Sequence, residues 1–206
     1  MSLPAPTTYT VFRGMRRIAS GSLADAAVAV AQASLVETQA SVLIFDDLNG
    51  DTRDVDTRGT AADIRARYAV SAPAVAVAEA PNPAESPSKG RGRPKLGVIA
   101  REVTLLPRHW DWLADQPGGA SVALRKLVDE ARRRNAGRDV MRRAQERAYR
   151  FMSTIAGNLP EFEEASRAMF ANDVDALRER IANWPEDVRD YLLRLLSTDD
   201  LVNDTE

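Results

Sequence analysis

The stretch VLIFDDLNGDTRDVDT (42–57) decides the fold class of the N-terminal part of this chain. Its apolar run, VLIF (42–45), is long enough for a buried strand, and Asn49-Gly50 follows a few residues later. Asn-Gly between two strand-like runs is a strong hairpin signal, because both residues tolerate positive φ. The stretch therefore predicts strands over 42–45 and 51–57.

Two further strand candidates precede this hairpin: TYTVF (8–12) and RRIAS (16–20), joined around Arg13-Gly14. A helix is predicted between the two pairs of strands, and Thr60 is a candidate cap for a short helix after them. The first helix is indicated by apolar residues at helical spacing, namely Leu23, Ala26, Ala27, Val30 and Ala31. The predicted fold class is α+β, beginning with a small ββαββ unit over 7–68 that resembles a β-grasp-like unit.

The remainder of the chain divides into five segments. Residues 69–90 contain four prolines and many alanines, which is typical of a flexible linker. A basic motif occupies 91–97, and a strand followed by two helices is predicted over 98–135. Apolar periodicity predicts a helical region over 136–198, and 199–206 form an acidic tail.

Charge is distributed very unevenly along the chain, although the formal net charge is only −2. Residues 1–88 carry 7 basic and 10 acidic residues, a net charge of −3. Residues 89–150 carry 16 and 7, a net charge of +9, and 151–206 carry 5 and 13, a net charge of −8. Nine arginines lie between 125 and 150. The basic centre predicts an anionic partner, which is either nucleic acid or the acidic last third of the same chain.

Composition excludes several classes of function. The absence of cysteine excludes disulfides, thiolate zinc sites and cysteine nucleophiles, and fits a reducing cytoplasm. The first residues, MSLPAPTTYT, do not form a signal peptide, and no apolar run approaches the ~18 residues of a membrane span. We therefore expect a cytoplasmic protein without membrane contact.

Candidate catalytic and metal-binding residues are few. His109 is the only histidine, and the sequence signals no nucleophile or second strong ligand for it. Acidic residues cluster around the Asn49-Gly50 turn, but their spacing does not match a calcium-binding loop. We expect this cluster to be solvated: Asp46, Asp47, Asp51, Asp54 and Asp56. The sequence predicts no enzyme, no metal and no cofactor.

The segment KGRGRPK (89–95) resembles an AT-hook, a short motif that binds the minor groove of A·T-rich DNA. In such a motif a glycine lets the backbone lie low in the groove, a proline keeps the path extended, and arginines reach along the groove floor. Flanking lysines neutralise phosphates. The resemblance assigns DNA contacts to six residues: Lys89, Arg91, Gly92, Arg93, Pro94 and Lys95.

The segment 99–134 resembles ribbon-helix-helix DNA-binding domains of the MetJ/Arc type. The matching features are a β-prone run ending at Pro107, a short amphipathic helix, a glycine turn and a second helix in 119–133. The resemblance implies a homodimer whose paired strands enter the major groove, with phosphate held at the start of the second helix. That phosphate site would be formed by Gly119, Ala120 and Ser121.

The register of the predicted ribbon is left open, because a slip of one residue reverses every side chain. One register presents Arg101, Val103 and Leu105 to the groove. The other presents Glu102, Thr104 and Leu106, so that Thr104 meets a thymine methyl group and Glu102 accepts from cytosine.

The chain as a whole resembles an uncharacterised bacterial family known as a domain of unknown function, most clearly over 9–68 and 91–135. That resemblance implies no activity. The motifs predict a dimeric DNA-binding protein, a transcription regulator or nucleoid-associated factor, whose partner is double-stranded, A·T-rich DNA. The alternative is a protein-interaction or adaptor module whose basic centre pairs with its own acidic helices or with an acidic partner.

Overall fold

The computed structural model describes residues 8–35, 40–69 and 101–198, which form two compact units. The first unit contains the described residues up to 69 together with 135–198, and the second contains 101–134. The described strands are β1 (Tyr9–Arg13), β2 (Arg16–Gly21) and β3 (Val42–Asp46). The described helices are α1 (Leu23–Ser34), α2 (Ala61–Tyr68), α3 (Pro107–Ala114), α4 (Gly119–Ile155), α5 (Phe162–Phe170), α6 (Val174–Arg180) and α7 (Glu186–Leu196).

The fold class is α+β, as the sequence predicts. The three strands form an antiparallel sheet in the order β2-β1-β3. Helix α1 begins at Ser22, whose side chain accepts from the Asp25 amide, and α2 begins at Thr60, which forms a capping box with Asp63. These caps satisfy amides that a helix start otherwise leaves without acceptors.

Neighbouring residues of the central strand, β1, pack into two different cores on the two faces of the sheet. Val11 packs with Ile44 and Ala26 on the side of α1, whereas Phe12 and Phe45 belong to the large core formed with the C-terminal helices. Strand geometry requires this division, since neighbouring side chains point to opposite faces. The sheet therefore lies between α1 on one face and the helices of 135–198 on the other.

Four aromatic rings form the centre of the large core. Phe12, Phe45, Phe151 and Tyr191 are all fully buried, and the distances between their ring centroids range from 4.6 to 6.3 Å. Most of the pairs meet edge-to-face or tilted, which suits the charge distribution of aromatic rings. Residues more than a hundred positions apart therefore share one core.

The prediction of a fourth strand over 51–57 is wrong, so the N-terminal part is not a ββαββ unit. After β3, only Thr52 forms a bridge, to Phe45. After Thr52, side chains of α2 form hydrogen bonds with backbone groups that would pair with another strand in a sheet. The Tyr68 hydroxyl accepts from the Asp56 amide, and Arg67 donates to the Asp56 carbonyl at 2.7 Å. Hydrogen bonds with α2 therefore satisfy these backbone groups in place of a strand pairing.

Helix α4 is continuous over Gly119–Ile155, where the sequence suggests two helices meeting near residue 135. The intervening residues, 134–139, include Gly137 but no proline. A glycine within a helix costs only about 1 kcal/mol and does not break it. None of the described helices is both long and apolar enough to cross a membrane.

The second unit buries very little in its described part. Helix α3 has Pro107 at its first turn, and it is followed by the start of α4. Of the hydrophobic residues in 101–134, only Leu113 and Ala123 are buried. Residues 101–134 therefore form no core comparable to that of the first unit.

Candidate functional site

The six residues that are predicted to contact the minor groove lie outside the part of the chain that the structure describes. The assignment of DNA contacts to Lys89, Arg91, Gly92, Arg93, Pro94 and Lys95 therefore stays a prediction.

The predicted ribbon residues Arg101, Glu102 and Thr104 are all exposed. Residues 101–106 form neither helix nor strand in the single chain that is described. A β-ribbon of this kind requires strands from two chains, so both of its registers stay predictions.

The predicted phosphate site lies at the first turn of α4, where the structure brings Gly119, Ala120 and Ser121 together. The Gly119 amide already donates to the Gln116 carbonyl at 2.9 Å. Neither the Ala120 nor the Ser121 amide donates to any of the described residues. Two amides of the three are thus available to an anion at the positive end of the helix dipole.

The cations of the second unit are exposed. Its described part contains seven, all with exposed side chains: Arg101, Arg108, Arg125, Lys126, Arg132, Arg133 and Arg134. Arg134 pairs with Glu130 one turn earlier in the same helix. Surface pairs of this type contribute little energy, so they leave a cation able to exchange its partner for a phosphate.

The second unit also exposes large apolar side chains. Six residues of 101–134 are at least 40 % exposed: Val103, Leu106, Trp110, Trp112, Leu127 and Val128. Scattered apolar residues are normal on a surface, but here the exposed ones outnumber the two that are buried. His109 is exposed among them.

A buried polar network in the first unit is the feature that the sequence reasoning missed. The Asp47 carboxylate, directly after β3, accepts hydrogen bonds from Thr8 at 2.7 Å, Thr10 at 2.9 Å and Tyr191 at 2.7 Å. Arg194 forms an ion pair with it at 2.9 Å. Because four donors occupy its two oxygens, this carboxylate holds the sheet against α7 and has little capacity left to act as a base.

Arg147 of α4 belongs to the same network, because it donates to the backbone of Asp47. Its side chain is 2 % exposed and donates to three carbonyl oxygens: that of Asp47 at 3.0 Å, and those of Leu195 and Ser197 at 2.6 Å. A buried guanidinium is tolerated only where its donors are satisfied in this way. Arg147 therefore links the end of β3 to the end of α7.

These findings correct two expectations. Asp46 and Asp47 are 3 % and 9 % exposed, so the acidic cluster is only partly solvated. Arg147 is one of the nine arginines of the basic centre for which an anionic partner is predicted, yet it is 2 % exposed and bonds to carbonyl groups of its own chain. The available signal was spacing, since Arg147 lies between Ala144 and Phe151 on the apolar stripe of α4.

The network also affects Tyr191. Burial, reinforced by the adjacent Asp47 carboxylate, raises the pKa of Tyr191 far above its ordinary value near 10. The neutral phenol is thus favoured by the folded state. Because the pKa of Tyr191 is higher in the folded state than in the unfolded state, the phenol contributes stability that is fully present below pH 10. This contribution is lost as the pH rises above 10.

We predict that Tyr191→Phe lowers the free energy of unfolding by about 1–2 kcal/mol at pH 7, because a buried hydrogen bond is lost. The variant should also lose less stability than the wild type between pH 9 and 11, since the phenol that must remain neutral is gone. Urea unfolding at a series of pH values measures both effects. Tyr149→Phe, which changes an exposed tyrosine, is the control. Equal pH dependence in all three proteins would contradict the assignment.

A model of a bacterial protein family matches residues 8–196, which is most of the chain. The family is described as an uncharacterized protein conserved in bacteria, DUF2239, and this chain belongs to it. No curated protein and no solved structure matches the chain.

Proposed function

We propose that this DUF2239 protein is a DNA-binding homodimer, acting as a transcription regulator or nucleoid-associated factor. The observation that carries the proposal is the charge of the central region. Residues 89–134 contain eleven basic and five acidic residues, a net charge of +6, and every described cation among them is exposed. A basic surface of this kind binds the phosphate backbone by releasing counterions.

The first turn of α4 supports a phosphate contact within the same unit. The amides of Ala120 and Ser121 have no described acceptor, and Arg125 follows one turn later with its side chain exposed. Helix starts with available amides bind phosphates and fix the orientation of a protein on a duplex.

The exposed apolar side chains support a dimer. A segment that buries only Leu113 and Ala123, while exposing two tryptophans, gains most by covering its apolar surface with a second copy of itself. Pairing of two segments would also bring two sets of cations to one duplex. In this arrangement the arginines of 91–93 hold the minor groove beside the ribbon of 99–106.

The alternative is an adaptor module, in which the same basic region binds an acidic protein surface. In one form of this alternative, the acidic C-terminal helices of the same chain neutralise the basic region. The ion pairs of α4 are relevant to that form. Arg134, Arg142 and Arg150 pair with Glu130, with Asp139 and Glu146, and with Asp51 respectively. None of these pairs involves a described residue beyond 160.

We predict that the full chain binds a 20-base-pair A·T-rich duplex more tightly than a G·C-rich one at low salt. The logarithm of the binding constant should fall with that of the salt concentration by about 0.9 per phosphate contacted. Replacing Arg91 and Arg93 by alanine should remove the A·T preference and reduce the slope by about 2. Fluorescence anisotropy over a salt series measures both quantities.

The matched control replaces Arg178 and Arg180 of α6, which removes the same charge from exposed positions of the first unit. It should leave the duplex preference unchanged. Failure of the wild type to bind either duplex at low salt would exclude DNA binding, and binding to an acidic protein surface would then be the better account.

We also predict that the chain is a dimer in solution and that Val103→Asp or Trp110→Asp converts it to a monomer. A carboxylate in the centre of an apolar interface costs several kcal/mol when it is left unpaired. Light scattering coupled to size exclusion measures the mass. Val174→Asp, at an exposed position of the first unit, is the control and should not change it. A monomeric wild type would contradict the dimer.

A further inference from the structure

The end of the β1–β2 hairpin forms a pocket lined by three arginines. The pocket has a volume of about 310 Å3, and its lining residues are Arg13, Arg16, Arg17 and Ile18. None of these described lining residues is acidic. The pocket belongs to the first unit, which is separate from the unit to which DNA binding is assigned above.

The strand pairing of the hairpin explains why the three arginine positions lie close together. Arg13 and Arg16 are directly paired across the two strands. The register then shifts, because Phe12 pairs with Arg17 whereas Val11 pairs with Ala19, so that Ile18 is the extra residue of a β-bulge. Bulges redirect side chains at the edges of sheets, and β2 is an edge strand. Arg13, Arg16 and Arg17 all lie at this hairpin end, and all three line the pocket.

These guanidinium groups are poorly satisfied by the protein. Arg13 donates from Nη2 to the Ala33 carbonyl at 3.2 Å, but its Nε is buried and has no hydrogen-bond partner among the described residues. The side chains of Arg16 and Arg17 form no hydrogen bond or ion pair with a described residue. A carboxylate does reach the backbone here, since the Arg17 amide donates to Asp187 at 3.0 Å.

The three arginines of the hairpin carry their positive charges close together. Eleven other arginines of the described residues form an ion pair with an acidic side chain. The side chains of Arg13, Arg16 and Arg17 form no such pair with a described residue. Three like charges around one pocket repel one another, and this repulsion is relieved when an anion binds between them.

We propose that the β1–β2 hairpin is a binding site for the phosphate group of a phosphorylated ligand, held by Arg13, Arg16 and Arg17. Guanidinium forks match the oxygens of a phosphate and can bind it through two parallel hydrogen bonds. The Nε of Arg13, buried and without a hydrogen-bond partner among the described residues, is a donor that the folded protein leaves unsatisfied. Ile18, 36 % exposed, adds an apolar surface against which the body of the ligand can pack.

Phosphate chemistry is shared by small phosphorylated molecules and by the nucleic-acid backbone, and the experiment separates the two sources. Titrations of the full chain are followed through the backbone amide resonances of residues 13–18 in two-dimensional NMR spectra. The probes are inorganic phosphate, adenosine 5′-monophosphate, adenosine and a 12-base-pair duplex. Adenosine is the matched probe without phosphate.

The variant replaces Arg16 and Arg17 by glutamine and leaves Arg13 in place, because Arg13 also supports the end of α1 through Ala33. The control replaces Arg178 and Arg180 by glutamine, which removes the same charge elsewhere in the first unit. Thermal unfolding of both proteins confirms that they fold.

We expect saturable binding of the monophosphate with a dissociation constant at or below about 1 mM, no response to adenosine, and a loss of at least about tenfold in affinity in the Arg16, Arg17 variant alone. If the variant also loses affinity for the duplex, the natural source of phosphate is nucleic acid. If its duplex affinity is unchanged, the source is a small molecule.

Three results would overturn the proposal: no shift of the hairpin resonances with either phosphate probe, an equal response to adenosine, or equal affinities in the variant and the control. The test is independent of the DNA-binding proposal. Replacing Arg91 and Arg93 should weaken duplex binding without changing the titration with monophosphate, so failure of one proposal is distinguishable from failure of the other.

Discussion

A single buried guanidinium connects the two ends of the chain in the first unit. Arg147 donates to the Asp47 carbonyl at the end of the sheet, and to the Leu195 and Ser197 carbonyls at the end of α7. Its burial is costly unless all of these bonds form together. The position of the sheet against α7, and hence the shared aromatic core, depends on this arrangement.

The turn between β3 and Thr52 is shaped to meet α4. Gly50 has φ +74°, and a Cβ atom at this position would lie 2.1 Å from the Arg147 carbonyl oxygen. Only glycine permits so close an approach of two backbones. One turn further along α4, Arg150 donates to the Asn49 carbonyl and pairs with Asp51, both at 3.1 Å. The Asn-Gly pair that signals a hairpin in the sequence thus also serves as a contact with the helix.

Local signals in the sequence were enough to predict β1, β2, β3, α1 and α2, because capping residues and apolar spacing act within a few residues of each other. They failed where a distant residue decides the outcome. The strand over 51–57 is replaced by contacts with Arg67 and Tyr68 of α2, and the burial of Asp47 depends on Tyr191, 144 positions away. The arginine pocket was missed because the net charge of −3 for residues 1–88 conceals three cations within five positions.

The two units differ in how much apolar surface their described residues bury. The first has its own core, with buried aromatic rings and a saturated polar network around Asp47. The second buries two hydrophobic residues of its described part and exposes six large ones. The first unit is therefore stabilised by a core within one chain, whereas the described part of the second unit leaves most of its large apolar side chains uncovered.

Hydrogen exchange of the wild type and of Arg147→Lys, with Arg142→Lys as the exposed control, tests most directly whether Arg147 unites the first unit. Lysine keeps the charge but cannot supply the three bonds in one plane. We expect the amides of β1, β3 and α7 to lose protection together in Arg147→Lys, by about 2–4 kcal/mol, and to keep it in the control. Unchanged protection, or a loss confined to α7, would contradict it.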